Sequence, residues 1–94
     1  MPYVIVRIKF EDFATWKEVF DGAGSMRKEY GSKGVRIFRP VEDANQVVIL
    51  GEYEDLERAR QLFQSQEFRE ATSRAGVLGP PEVSYLEQVD QLPA

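Results

Sequence analysis

The chain has 94 residues, 43% of them hydrophobic and 30% charged, which is ordinary for one small globular domain and argues against disorder. Its formal net charge of -4 argues against a nucleic acid or an anionic membrane as partner, because both bind basic surfaces. The absence of cysteine and histidine argues against disulfides, thiol nucleophiles, Ser-His-Asp triads, histidine-ligated haem and most zinc sites, so we expect no metal and no cofactor.

The first predicted element is a strand, YVIVRIKF, over residues 3–10. It is rich in β-branched residues, and its side chains alternate between a fully apolar face and a mixed face. The chain opens directly on this strand, and no apolar run approaches the roughly 18 residues of a membrane span. We therefore expect neither a signal peptide nor a membrane segment, and a cytoplasmic location.

A single amphipathic helix is predicted over residues 13–30, with Asp12 as its N-cap and Gly31 as its C-terminal cap. The glycines of the GAG segment at 22–24 weaken its middle and predict a kink or a close approach there. Its inner face carries the aromatic residues Phe13, Trp16, Phe20 and Tyr30 at helical spacing.

Two strands follow, over residues 34–39 and 47–53, joined by the polar hairpin loop VEDANQ. Asp55 then begins a second helix, and Ser65 begins a short third one. The last strand is predicted over residues 82–89.

Before that strand lies the apolar loop AGVLGPPEV. Its prolines remove two backbone donors and fix the direction in which the chain reaches an edge strand. We expect Val77 and Leu78 either to close one end of the core or to contact a partner subunit.

This order of elements, β-α-β-β-α-(short α)-β, is the split ferredoxin-like pattern of an α+β domain. Right-handed crossovers place the first and third strands in the middle of one antiparallel sheet, with both main helices on one face. We predict one such domain over residues 1–94.

The opposite face of that sheet is predicted to be uncovered and unusually apolar. A contiguous apolar patch on a small domain is typical of an interface, and a second copy is the simplest partner. We therefore predict a homodimer through this face, the alternative being a monomer with an apolar exposed sheet. Its residues are Ile5, Arg7, Arg36, Phe38, Val48, Leu50 and Glu52.

The succession of the segments DFATWKEVFD, GVRIF, VVILGEYEDLERA and EFREATSRAGVLGPPEV resembles the dimeric α/β-barrel superfamily. Within it the chain is most similar to the antibiotic-biosynthesis-monooxygenase-like and stress-responsive barrel proteins. The resemblance implies a homodimeric α/β barrel. Members include cofactor-independent monooxygenases, haem-degrading enzymes and polyketide cyclases. The haem-degrading branch relies on a histidine that this chain lacks.

The first functional hypothesis is a cofactor-independent monooxygenase acting on a small aromatic or polyketide-like substrate. Such an enzyme needs a pocket that binds a phenol or hydroquinone, deprotonates it and shelters it from water. Arg7 or Arg36 would stabilise the phenolate, and Glu52 or Tyr85 would exchange a proton. The predicted aromatic walls are Trp16, Phe20, Phe38, Tyr53 and Phe63.

Each of these predictions has an alternative. Trp16, Phe20 and Phe63 lie at helical spacing, which more often indicates a plain hydrophobic core. Arg7 and Glu52 on neighbouring strands could form a salt bridge that sets the register instead of a binding site. At the level of function, the alternatives are a cyclase or isomerase of the same fold and a non-enzymatic dimeric domain that binds a ligand.

Overall fold

The computed structural model describes residues 1–94, and it forms one four-stranded antiparallel sheet with helices packed on one face. The sheet order is β2-β3-β1-β4, which confirms the α+β ferredoxin-like fold with the first and third strands in the middle. The elements are β1 (Tyr3–Lys9), α1 (Phe13–Gly22), α2 (Gly24–Glu29), β2 (Ser32–Phe38), β3 (Gln46–Tyr53), α3 (Leu56–Gln64), α4 (Gln66–Arg74) and β4 (Glu82–Leu86).

The hydrophobic core lies between the helices and the inner face of the sheet. On β1 every second side chain is buried, as the alternation predicts for a strand covered on one side. No buried side-chain polar atom lacks a hydrogen-bond partner, and no helix combines the length and apolar character needed to cross a membrane. The central buried residues are Val4, Val6, Ile8, Phe10, Trp16, Val47, Ile49, Tyr53, Ala59, Leu62 and Ala75.

The single helix predicted over residues 13–30 is wrong, because the structure has two helices there. The first, α1, ends at Gly22, and Ala23 leaves the helical conformation with φ -94° and ψ 11° before α2 begins. The backbone N–H of Ala23 donates to the carbonyl oxygen of Phe20, which tightens the last turn. Glycines on both sides of Ala23 have a low helix propensity, so this is the point where the predicted kink becomes a break.

The predicted helix N-caps are confirmed. The carboxylate of Asp12 accepts hydrogen bonds from the backbone N–H and the hydroxyl of Thr15, at 2.9 and 2.8 Å. The carboxylate of Asp55 caps α3, and the hydroxyl of Ser65 accepts from the backbone N–H of Phe68 at 3.0 Å. Each bond satisfies one of the backbone donors that a helix start leaves free.

Two strand boundaries differ from the prediction by two residues or more, for reasons of pairing. The last strand ends at Leu86 and not at residue 89, because Leu86 lies opposite Tyr3, the first residue of its only partner, β1. Strand β2 starts two residues early, at Ser32, across an irregularity in register between Ser32 and Gly34.

The loop before β4 divides its two apolar side chains between different environments. Val77 forms an isolated bridge with Phe10 and packs against the core, so its predicted role in closing one end of the core is confirmed. The backbone N–H of Leu78 donates to the carbonyl of Lys9 at 2.8 Å, but its side chain is 52% exposed. Leu78 therefore anchors the loop through its backbone and adds little to the core of a single chain.

Candidate functional site

A partly enclosed apolar cavity, hereafter the main cavity, lies between the helices and the inner face of the sheet and has a volume of about 70 Å³, whereas two more open surface pockets are larger. Nineteen residues line it, of which 16 are hydrophobic. The walls come from β1 and β3 below, from α1 and Ala23 on one side, and from α3 and α4 on the other. An apolar cavity with few polar groups is the usual form of a site for a small apolar ligand.

A column of stacked aromatic rings runs along one side of the cavity, and two of them, Trp16 and Phe20, line it. The ring centroids of Phe10 and Trp16 are 5.4 Å apart, and those of Trp16 and Phe20 are 4.9 Å apart, with interplanar angles of 19° and 26°. The guanidinium carbon of Arg27 lies 3.9 Å from the centroid of Phe20 and caps the column. Trp16 is only 2% exposed, so its indole belongs to the interior.

The opposite wall is a second aromatic cluster, centred on Phe63. Its ring meets those of Tyr53, Phe68 and Tyr85 edge to face, with centroids 6.2, 5.1 and 6.4 Å away. Such pairs are worth about 0.5–1.5 kcal/mol each beyond the area that they bury. Tyr85 lies behind Phe63 and does not line the cavity, whereas the other three rings do.

The polar side chains of the lining are those of Arg27, Tyr53 and Thr72. Thr72 is engaged, because its hydroxyl donates to the carbonyl of Arg69 at 2.9 Å. Arg27 donates from Nη1 to the carbonyl oxygen of Phe20 at 2.7 Å. The hydroxyl of Tyr53 makes none of the side-chain hydrogen bonds found in the chain, and it is not fully enclosed, because every fully buried polar atom has a partner. Arg27 and Tyr53 are therefore the two groups that could recognise a polar atom of a ligand.

Burial sets the protonation of these two groups. It lowers the pKa of the Arg27 guanidinium, although a guanidinium stays charged at neutral pH. Burial also raises the pKa of Tyr53 to about 12, and the positive charge of Arg27 offsets part of that rise. At neutral pH Tyr53 is therefore a neutral hydrogen-bond donor. No aspartate or glutamate lines the cavity, and the chain has no group of three acidic residues that could hold a metal ion.

Four of the predicted site residues line this cavity together, namely Trp16, Phe20, Tyr53 and Phe63. Tyr85 lies outside it, with the guanidinium of Arg60 above its ring at 5.2 Å, and burial raises its pKa away from neutrality. The structure does not bring the remaining predicted residues to this cavity, because they belong to the uncovered face of the sheet. These are Arg7, Arg36, Phe38 and Glu52.

The predicted neighbour pair of Arg7 and Glu52 is not formed. Arg7 lies opposite Val48, whereas Glu52 lies opposite Tyr3, four residues further along β3. At the rise of a β-strand this separates them by about 13 Å. Their positions on the same face are as predicted, but a salt bridge between them is ruled out by the register.

Arg27 is the cavity residue that sequence reasoning missed. The sequence pattern places it in a continuous helix, whereas in the structure it lies on α2, beyond the break at Ala23, with its guanidinium over the ring of Phe20. The sequence signal that could have placed Arg27 near Phe20 is the spacing of seven residues between them, across the two glycines. Gly51 lies at a tightly packed point of the lining, because a Cβ added there would lie 3.0 Å from the ring of Tyr53.

Comparison with solved structures identifies the same fold at low sequence identity. A candidate antibiotic biosynthesis monooxygenase from Bordetella bronchiseptica is 19% identical, with a TM-score of 0.78 over 94% of this chain and 96% of that chain. SnoaB, a cofactor-independent oxygenase from Streptomyces nogalater, is 16% identical, with a TM-score of 0.78 over 99% and 97% of the two chains. Another candidate, from Caulobacter crescentus, is 18% identical, with a TM-score of 0.74 over 95% and 90%.

A comparison with curated proteins gives no match. The family model of antibiotic biosynthesis monooxygenases matches residues 3–74, which include β1 to β3, all four helices and nearly all the cavity lining. The chain therefore belongs to the antibiotic biosynthesis monooxygenase family.

Proposed function

We propose that the protein is a cofactor-independent monooxygenase that acts on a small hydroxylated aromatic substrate bound in the main cavity. The observation that carries the proposal is the cavity itself, which has two aromatic walls and only two polar groups with hydrogen-bonding capacity to spare, Arg27 and Tyr53. Family membership and the similarity in fold to SnoaB, a cofactor-independent oxygenase, support the same reaction class.

The lining suits a substrate that supplies its own electrons to oxygen. Flat aromatic walls hold a ring by stacking, and the apolar surroundings keep water from it once it is bound. Tyr53 is protonated at neutral pH and can donate a hydrogen bond to an oxygen atom of the substrate. A hydroxylated aromatic ring matches both properties.

A cyclase or isomerase of the same fold is less well supported. Such an enzyme moves protons with an acid–base residue whose pKa lies near the working pH. The cavity has no carboxylate or imidazole, and its tyrosine has a pKa far above neutrality. An oxygenase in the same cavity needs a substrate that enters ionised or loses its proton to solvent, because the lining supplies no base.

Oxygen uptake tests the proposal. The protein is mixed with a panel of hydroquinones and polycyclic phenols, without added flavin, nicotinamide or metal, while an electrode follows dissolved oxygen. We expect uptake with at least one substrate, and Tyr53→Phe should lower kcat/KM by roughly two- to tenfold through the loss of one hydrogen bond. Tyr85→Phe is the matched control, since Tyr85 lies outside the cavity.

The fluorescence of Trp16, the only tryptophan, gives a binding readout that does not depend on turnover. Ligands that quench Trp16 without any oxygen uptake across the panel would refute the oxygenase and leave a non-enzymatic binding domain. Uptake that is unchanged in both tyrosine variants would exclude Tyr53 from the reaction.

We also propose that the protein is a homodimer through the uncovered face of the sheet. The register makes the apolar residues of that face contiguous, with Ile5 opposite Leu50 and Val48 opposite Phe38. Phe38 is 52% exposed in the single chain. A contiguous apolar patch of this kind is typical of an interface, and a two-fold axis would pair it with its copy.

Leu50→Asp tests the dimer, because it places a charge at the centre of this patch. Light scattering coupled to size-exclusion chromatography should change from a dimer to a monomer. Val41→Asp is the control, since Val41 is an apolar residue of the β2–β3 loop that is fully exposed. A monomeric wild-type protein, or a Leu50→Asp protein that stays dimeric, would contradict the proposed interface.

A further inference from the structure

We propose that Arg27 selects the ligand of the main cavity. The ligand binds as a small anion with one charged oxygen, which lies at the guanidinium, and an otherwise apolar body. The proposal rests on the proposed function in using the same cavity. It adds the charge state of the ligand and the residue that determines it.

The charge of Arg27 has no carboxylate partner. Arg27 belongs to none of the ion pairs in the chain, which join lysine or arginine to aspartate or glutamate within 4.0 Å elsewhere on the surface. Asp21, on α1, is the acidic group whose charge acts on it, but its carboxylate binds Lys17 at 2.7 Å. From β3 the neighbouring titratable group is Tyr53, which is neutral at neutral pH.

The guanidinium is half-buried and has hydrogen-bonding capacity to spare. Of its five N–H donors, one bonds the carbonyl of Phe20, while its flat face stacks on the ring of Phe20. A cation removed from water without a counter-ion is unfavourable, and an anion supplied by a ligand relieves that cost. An oxyanion beside Arg27 would gain charge-assisted hydrogen bonds, which are stronger than neutral ones.

The rest of the lining fits the remainder of such a ligand. Sixteen of the 19 lining residues are hydrophobic, which favours an apolar body and disfavours a second charge. The lining contains no carboxylate to take up a proton, so an acidic hydroxyl must enter ionised or lose its proton to solvent. A neighbouring positive charge stabilises the ionised form.

Ligand entry also involves Arg27. The cavity has a volume of about 70 Å³, about half of the ~150 Å³ of a cavity known to hold benzene. A ring-sized ligand therefore requires side chains of the lining to move. Arg27 contacts Phe20 through one hydrogen bond to its carbonyl oxygen and one stacking contact with its ring. An anion that binds the guanidinium can replace both of these contacts.

The test compares an ionisable ligand with a neutral one of similar shape. The probes are 4-nitrophenol, whose absorption reports its ionisation, and nitrobenzene, which has no ionisable group. Binding to the 94-residue protein is measured by equilibrium dialysis, and the pKa of bound 4-nitrophenol by its absorption across pH. The variants are Arg27→Gln, Arg27→Lys and, as control, Arg60→Gln, because Arg60 also lies over an aromatic ring but outside this cavity.

We expect the wild-type protein to lower the pKa of bound 4-nitrophenol by about one unit. Arg27→Gln should weaken binding of the phenolate roughly tenfold or more and change nitrobenzene binding by less than about twofold. Arg27→Lys should keep part of the preference, and Arg60→Gln should behave as the wild type. A merely structural role of Arg27 would weaken both probes equally.

An unshifted pKa of 4-nitrophenol bound to the wild-type protein would overturn the assignment of Arg27, and this measurement needs no variant to fold. If oxygen uptake is observed in that case, the proposed oxygenase stands without an anionic ligand. If neither probe binds, both the assignment and the cavity as a ligand site are overturned. If both probes bind with the expected preference and no hydroquinone consumes oxygen, the assignment stands and the oxygenase fails.

Discussion

Replacing Trp16 with alanine is expected to destabilise the protein strongly and to open the aromatic wall of the cavity. The indole is 2% exposed and lies within 6.0 Å, between centroids, of the rings of Phe10, Phe13 and Phe20. Truncations of buried tryptophan or phenylalanine to alanine cost about 3–5 kcal/mol. Small domains are stable by about 0.05–0.15 kcal/mol per residue, so this loss is a large part of the total.

Thermal unfolding followed by circular dichroism measures the effect, because the variant lacks the only tryptophan. In a domain of this size each kcal/mol shifts Tm by about 4–8 °C, so Trp16→Ala should lower it by at least about 12 °C. Trp16→Phe keeps a ring in the column and should lose markedly less. A Trp16→Ala protein that melts within a few degrees of the wild type would refute the description of the column as packed core.

Ligand rescue separates an opened cavity from general damage. Indole has the shape of the deleted side chain, and a molecule that binds only the folded state raises its stability by mass action. Indole should therefore raise the Tm of Trp16→Ala and leave that of Trp16→Phe nearly unchanged. Equal effects on the two variants would mean that the space left by Trp16 collapses.

Three further predictions concern stability. Gly51→Ala should lower the free energy of unfolding in urea by about 1–3 kcal/mol through overpacking, since the new Cβ would lie 3.0 Å from the ring of Tyr53. Gly22→Ala should not destabilise the protein, because a Cβ there has nothing within 4 Å. Equal losses of stability in the two variants would contradict this prediction. Asp12→Ala should lower Tm at neutral pH. Hydrogen bonds lower the pKa of Asp12 below its ordinary 3.8, so its contribution to stability is complete above that value and disappears as the pH falls through the folded-state pKa. A difference in Tm between the variant and the wild type that persists at the lowest pH would refute this prediction. Leu78→Asp should change the free energy of unfolding by less than about 0.5 kcal/mol, and Val77→Asp should cost clearly more; the reverse order would contradict the burial of Val77.

The fold could be predicted from the sequence because its local signals agree. The alternation of β1, the N-caps at Asp12, Asp55 and Ser65, and the left-handed glycine at Gly31 all appear where expected. Each is a short-range effect of one or a few residues on the backbone. Strand order then followed from the handedness of the crossovers.

The site could be predicted only in part, because it depends on which face each residue occupies and on long-range register. Helical spacing correctly grouped Trp16 and Phe20, but the same pattern could not distinguish a cavity wall from solid core. Phe38 and Arg36 lie on the uncovered face, as predicted, and therefore apart from the cavity that Trp16 and Phe20 line. Arg27 is not predicted as a cavity residue, because its position follows a helix break at Ala23. The low helix propensity of the neighbouring glycines suggests such a break but does not determine where it occurs.

The bridge between Phe10 and Val77 has a consequence for the order of folding. It joins the end of the first strand to a loop that follows the last helix, and contacts between residues so distant in sequence form slowly. One end of the cavity is therefore complete only when residues 10 and 77 have come together. A ligand that needs this end closed binds the folded domain alone and raises its stability by mass action.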